Sequence, residues 1–136
     1  MTKYQLTKAQ AEEVFFNCLC DNDIQIYDID WKYNEAFYEQ AKKNLMEKYK
    51  GDTPCYEDIL MQMLRDGGKL GIIDFNYEDY NFIEGYKVFY VTLADIHEKI
   101  NECPIDQLMN VLNEEYDVSD SDVILQTLFF GEIVYG

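Results

Sequence analysis

Between Thr7 and Leu19 the apolar side chains fall at Ala11, Val14, Phe15, Cys18 and Leu19, the three- and four-residue spacing of one helical face. Ahead of them Thr7-Lys8-Ala9-Gln10 has the form of a capping box, a hydroxyl at the cap and an amide side chain three positions on. A helix over about 8–20 is predicted. In "DNDIQIYDID" Ile24, Ile26 and Asp28 alternate with Gln25, Tyr27 and Ile29, which predicts a short strand or extended connection. Phe37, Ala41, Leu45 and Tyr49 then repeat every fourth residue. They predict a helix between Asn34 and Lys50, with lysines toward its C-terminal end, where cations favour the dipole, and Gly51 as its stop.

Thr53-Pro54 places a capping hydroxyl before a proline suited to the first helical position. Ile59, Leu60, Met63 and Leu64 form the stripe of that helix, and Gly67-Gly68 ends it. Leu70 to Tyr77 and Tyr86 to Thr92 are rich in β-branched and aromatic residues, with Glu84-Gly85 as a turn between them. They predict an antiparallel pair, with room for a short extra strand near Asn81 to Ile83. Thr92 caps a helix carrying Leu93, Ile96 and Ile100. Pro104 starts another, with Ile105, Leu108, Met109, Leu112 and Tyr116 on one face, and Ser119 or Ser121 caps the last, which stops at Gly131. The resulting fold class is α+β: one compact domain over 1–136, about five to six helices flanking a small antiparallel sheet of two to three strands near 69–92.

The final stretch stands out. From Val123 to Tyr135 only Gln126, Thr127, Gly131 and Glu132 are not large and apolar. A helix apolar around its whole circumference is buried, either inside its own domain or against a partner. The first arrangement is the main expectation, and a homo-oligomer joined through 123–135 is the alternative.

Charge changes the picture most. The chain has 27 Asp and Glu against 11 Lys and Arg, a formal charge of −16. Residues 1–65 carry a net −4 and residues 66–136 a net −12, and no Lys or Arg follows Lys99. Such a surface repels nucleic-acid phosphate and anionic lipid and attracts cationic protein surfaces. Direct nucleic-acid or membrane binding is therefore disfavoured, and a basic protein is the expected partner. No basic-then-apolar signal segment opens "MTKYQLTKAQAEEVFF", and no apolar run approaches the roughly 20 residues that span a bilayer, so a cytoplasmic setting with reduced thiols is expected. Cys18 and Cys20 point in different directions on one helix, which argues against a shared zinc. All four cysteines, Cys55 and Cys103 included, read as small hydrophobes.

Catalytic patterns are sparse. His97 is the only histidine, and no nucleophile motif accompanies it. The aspartate clusters fail as EF-hand loops, because positions six and twelve hold Ile26 and Lys32 counting from Asp21, and Asp122 and Leu128 counting from Asp117. Gly67-Gly68-Lys69 lacks phosphate-loop spacing and precedes a strand. No cofactor, no metal site and no enzymatic activity are expected.

What remains is an acidic face. Glu114, Glu115, Asp117, Asp120 and Asp122 crowd one helix junction, and Asp74, Glu78 and Asp79 add carboxylates from the strand region. Tyr77, Tyr80 and Tyr116 are the candidate aromatic contacts. Carboxylates spread over a rigid scaffold imitate the phosphate pattern of a nucleic acid and compete for a basic groove. The segments "GGKLGIIDFNYED" and "DVILQTLFFGEIVYG" resemble the corresponding parts of small acidic proteins from phages and mobile elements of gut bacteria. The resemblance implies a setting where anti-defence proteins are common, including nuclease inhibitors that mimic nucleic acid, and it carries over no catalytic residues. The expected function is thus a non-enzymatic inhibitor that occupies the basic surface of a nucleic-acid-binding or defence protein in the bacterial host cytoplasm. The alternatives are an immunity protein against a cationic toxin, an oligomeric structural phage protein, and a small enzyme using His97.

Overall fold

The capping box at Thr7 forms as its residue types require: Gln10 N–H donates to Thr7 Oγ1 at 3.1 Å, and Thr7 N–H donates to Gln10 Oε1 at 3.0 Å. Helix α1, Lys8–Cys20, follows it and buries Ala11, Val14, Phe15, Cys18 and Leu19. The computed structural model describes residues 5–22, 27, 29–78, 86–115 and 117–135. Its further elements are β1 (Ile29–Lys32), α2 (Glu35–Lys48), α3 (Tyr56–Arg65), β2 (Leu70–Glu78), β3 (Tyr86–Val91), α4 (Leu93–Lys99), a single 3-10 turn at Ile100–Glu102, α5 (Ile105–Leu112) and α6 (Val118–Phe130). Among the described residues this is an α+β domain of six helices and one three-stranded antiparallel sheet in the order β1-β2-β3.

The third strand is β1, earlier in the chain than the pair it joins. Ile29 pairs with Asp74 and Lys32 with Gly71 on one side of β2, while Leu70 pairs with Val91 and Asp74 with Lys87 on the other. The expected strand near Asn81 to Ile83, the Glu84-Gly85 turn and the Ile24 to Ile26 alternation lie outside the described residues.

Helix starts differ from expectation in two places. Helix α3 begins at Tyr56, with Cys55 rather than Thr53 in the cap position and Pro54 buried ahead of it. The Cys55 thiol donates to Asp58 Oδ2 at 2.9 Å. Helix α6 is capped by Asp117, not by a serine: Asp117 Oδ1 accepts from Ser119 N–H at 2.9 Å, and Asp120 Oδ2 reaches back to Asp117 N–H at 3.2 Å. A carboxylate in front of a helix N-terminus caps it as a serine hydroxyl would and also meets the positive end of the dipole.

The core answers the question raised by the apolar C-terminal stretch. Helix α6 is enclosed by its own domain, and Ile124, Leu125, Leu128 and Phe129 are all buried. Phe129 packs against Phe15 of α1 and Trp31 of β1, and Phe130 meets the Phe89 ring edge-on at 4.7 Å. Gly131 then takes a left-handed conformation (φ 80°) that ends the helix without the steric cost a Cβ would bring. Residues 131–135 turn back along α6. Gln126 is buried and holds them, with Oε1 accepting from Val134 and Tyr135 N–H at 2.9 and 2.8 Å and Nε2 donating to Tyr135 O at 2.9 Å. Only Ile133 and Val134 of this stretch present large apolar side chains outward.

The expected stripe of α2 is also narrower than its spacing suggests. Ala41 and Leu45 are buried, but Phe37 and Tyr49, at either end of the helix, are exposed.

Candidate partner-binding surface

The corner between α5 and α6 is built from backbone geometry. Helix α5 closes with Glu115 N–H donating to Asn110 O at 2.9 Å and Glu114 N–H to Val111 O at 3.1 Å. Glu114 therefore occupies the left-handed position after the helix (φ 57°), a place usually given to glycine. Its carboxylate, like those of Glu115 and Asp117, is exposed. Asp117 accepts hydrogen bonds from the Ser119 hydroxyl and from the Ser119 and Asp120 amides. The Ser119 hydroxyl and these amides hold its carboxyl below the ordinary aspartate value. Asp120 is half-buried. Glu102 and Asp106, before and at the start of α5, and Glu132 beyond α6 are exposed as well, and residues 100–135 contain no Lys or Arg.

Two predicted members of the acidic face sit inside the protein. Asp122, on the buried side of α6, is 7% exposed, and Asp74 is 4% exposed. Strand alternation explains Asp74, because it shares the inner face of β2 with Leu70 and Ile72, where it accepts a 2.7 Å hydrogen bond from the Tyr135 hydroxyl. It pins the C-terminal segment to the sheet and is not available to a partner. Glu78 and Tyr77 belong to β2, but their side chains lie outside the described residues, as do Asp79, Tyr80 and Tyr116. The structure thus brings Glu114, Glu115, Asp117 and Asp120 together at one corner and separates Asp74 and Asp122 from them by burial.

His97 has a clear local role. Its Nε2 lies 3.1 Å from Glu12 Oε2, while Arg65 Nε donates to Glu12 Oε1 at 2.9 Å. The chain's only arginine and only histidine thereby converge on one carboxylate and tie together α1, α3 and α4. Partial burial alone would raise the Glu12 carboxyl, but the hydrogen bonds and charges of Arg65 and His97 outweigh it and hold the group below its ordinary value.

The cysteines divide into two pairs. Cys18 and Cys103 are buried, and burial pushes the Cys18 thiol up strongly and the Cys103 thiol up to about 12, so both stay protonated at neutral pH. Cys20 and Cys55 are exposed, which corrects the reading of all four as packed hydrophobes. Cys20 ends α1 and Cys55 caps α3, positions that helix periodicity does not assign to a core. Among the described residues no three His, Cys, Asp or Glu side chains come together as a metal site. Among them, too, no helix is long and apolar enough to cross a membrane.

Fold and surface together define an α+β domain with an exposed carboxylate corner, in a stretch of chain without lysine or arginine. No protein-family model, curated protein or solved structure matches the chain.

Proposed function

We propose that this protein is a non-enzymatic inhibitor that docks its α5–α6 corner into the basic surface of a nucleic-acid-binding protein. One observation carries the reading: Glu114, Glu115 and Asp117 are exposed at a junction whose backbone is fixed on both sides by hydrogen bonds, in a stretch with no compensating lysine or arginine. Charge that served solubility alone could sit anywhere on the surface. Here Glu114 holds a left-handed backbone that glycine would adopt at about 1 kcal/mol lower cost.

The hydrogen-bonded Asp117 carboxylate loses little conformational entropy on binding, and the summed field of a −16 molecule steers association with a cationic groove. Salt weakens such steering, since charges in 0.1 M salt are screened beyond about 10 Å.

The test compares the native chain with a Glu114→Gln, Glu115→Gln, Asp117→Asn variant in capture from a bacterial lysate. Asparagine still caps a helix, so the variant removes charge and keeps the turn. The native chain should retain a nucleic-acid-binding protein at low salt and release it to high salt or to added nucleic acid, and the variant should retain much less. Equal recovery by the two forms, or no displacement by nucleic acid, overturns the reading.

A further inference from the structure

A second region carries the opposite charge. A cleft of about 510 Å³ opens where the end of β1, the start of α2 and the near edge of the β2–β3 pair meet. Its walls include Lys32, Lys69, Tyr33, Phe37 and Tyr90, and among the described residues no carboxylate lines it. In a chain where acids outnumber bases 27 to 11, this is the reverse of the surrounding pattern. Other cavities follow the bulk composition: one of about 360 Å³ beside Arg65 carries Glu12, Glu13 and Asp58, and one of about 330 Å³ on the other side of Lys32 and Tyr33 carries Asp30 and Glu35. Among the described residues neither Lys32 nor Lys69 forms an ion pair.

The sheet register positions these groups. Lys32, Gly71 and Tyr90 lie abreast across the three strands. A Cβ on Gly71 would stand 2.7 Å from two carbons of the Tyr90 ring, so the glycine is what lets that ring lie over the middle strand. The Lys69 ammonium rests over the same ring, 4.3 Å from its centre. Tyr90 therefore holds Lys69 at the cleft without neutralising it. Phe37, at the first turn of α2, contributes an aromatic ring that is 45% exposed and has no role in the core.

We infer that this cleft binds a planar aromatic ring carrying a phosphate, the chemistry of a nucleoside monophosphate. The phosphate sits between Lys32 and Lys69, compact cations suited to it as point charges, and the ring lies against Phe37. The volume falls within the roughly 300–1,000 Å³ typical of small-molecule sites. Water-exposed anions are repelled by the rest of the molecule, so binding depends on these two lysines and on the ring contact together.

The experiment is titration of the full chain with AMP, adenosine and inorganic phosphate, followed by amide chemical shifts and calorimetry, and repeated on Lys69→Met, Lys32→Met and Phe37→Ala. Lys69 and Phe37 are exposed, so their variants retain the fold. AMP should shift the amides of Lys32, Phe37, Lys69 and Tyr90. Adenosine should bind at least about tenfold more weakly, and each lysine variant should weaken AMP by about tenfold. Phe37→Ala should weaken AMP without changing the response to phosphate. The inference fails if AMP binds no better than adenosine or phosphate, or if the lysine variants bind AMP as the native chain does. The acidic corner is not involved, so either proposal stands or falls without the other.

Discussion

Helices α2 and α6 are nearly equal in length, yet they relate to the fold in opposite ways. Helix α2 buries only Ala41 and Leu45, whereas α6 buries eight residues, four of which are polar. Helix α6 is a pillar with α1 on one side and the sheet on another, and α2 is a flank. Buried polar side chains on the pillar need partners. Gln126 finds them in the returning tail, and the Thr127 hydroxyl donates to Val123 O at 2.8 Å. The flank has freedom that the pillar lacks: Phe37 can face a cleft because nothing in the core needs it. Core packing is thus concentrated on α6, while α2 leaves an aromatic ring outside the core.

The sharpest way to break that contrast is a pair of truncations. Leu125→Ala, at a fully buried site of the pillar, should cost about 3 kcal/mol through lost burial and the cavity left behind. Phe37→Ala removes a larger side chain from the flank and should cost less than about 1 kcal/mol. Urea denaturation of the two variants measures both, and comparable losses would mean that α2 is as central as α6.

A smaller effect is expected from Gln126→Ala. It deletes three hydrogen bonds, but the tail amides can regain water by peeling away, so the loss should be near 2 kcal/mol. Hydrogen exchange should show the Val134 and Tyr135 amides losing protection while the interior of α6 keeps its own. Uniform loss across α6 would indicate that the tail and the pillar unfold as one unit.

The smallest effect concerns the clamp that links α1 to α3 and α4. Glu12→Gln should cost about 1 kcal/mol or less, because Arg65 is half-exposed and its pairing is screened. The sign of its pH dependence follows from the lowered Glu12 value. The unfolded chain takes up the proton first, at the ordinary value of 4.5, so the contribution is whole above that pH and disappears as the pH falls through the lower folded value. The gap between native and Glu12→Gln stabilities should close on acidification. A gap that stays constant down to strongly acidic pH would show that the carboxylate charge contributes nothing.

Local signals in the chain were enough for much of this architecture. The Thr7–Gln10 box, the Thr92 cap, the apolar spacing of α1 and α3 and the β-branched runs of β2 and β3 act over a few residues, and each formed as its spacing implied. The charge imbalance, too, is a property of composition, and Glu114, Glu115 and Asp117 are exposed as their position between two helices suggests.

Tertiary structure decided what depends on distant partners. A carboxylate reads as surface until a fold supplies a hydroxyl such as that of Tyr135 to bury it against, which is why Asp74 left the acidic face. Phe37 and Tyr49 match the period of a buried stripe, but only Ala41 and Leu45 of that stripe are enclosed by neighbouring elements. The Lys32–Lys69 cleft had a faint trace in the sequence, since Lys69 and Gly71 share one side of a strand. Its other components come from β1, α2 and β3, and only the pairing of Lys32 and Tyr90 with Gly71 across the sheet brings them together. Period and capping are fixed by neighbours along the chain, whereas burial and the assembly of a site are fixed by neighbours in space.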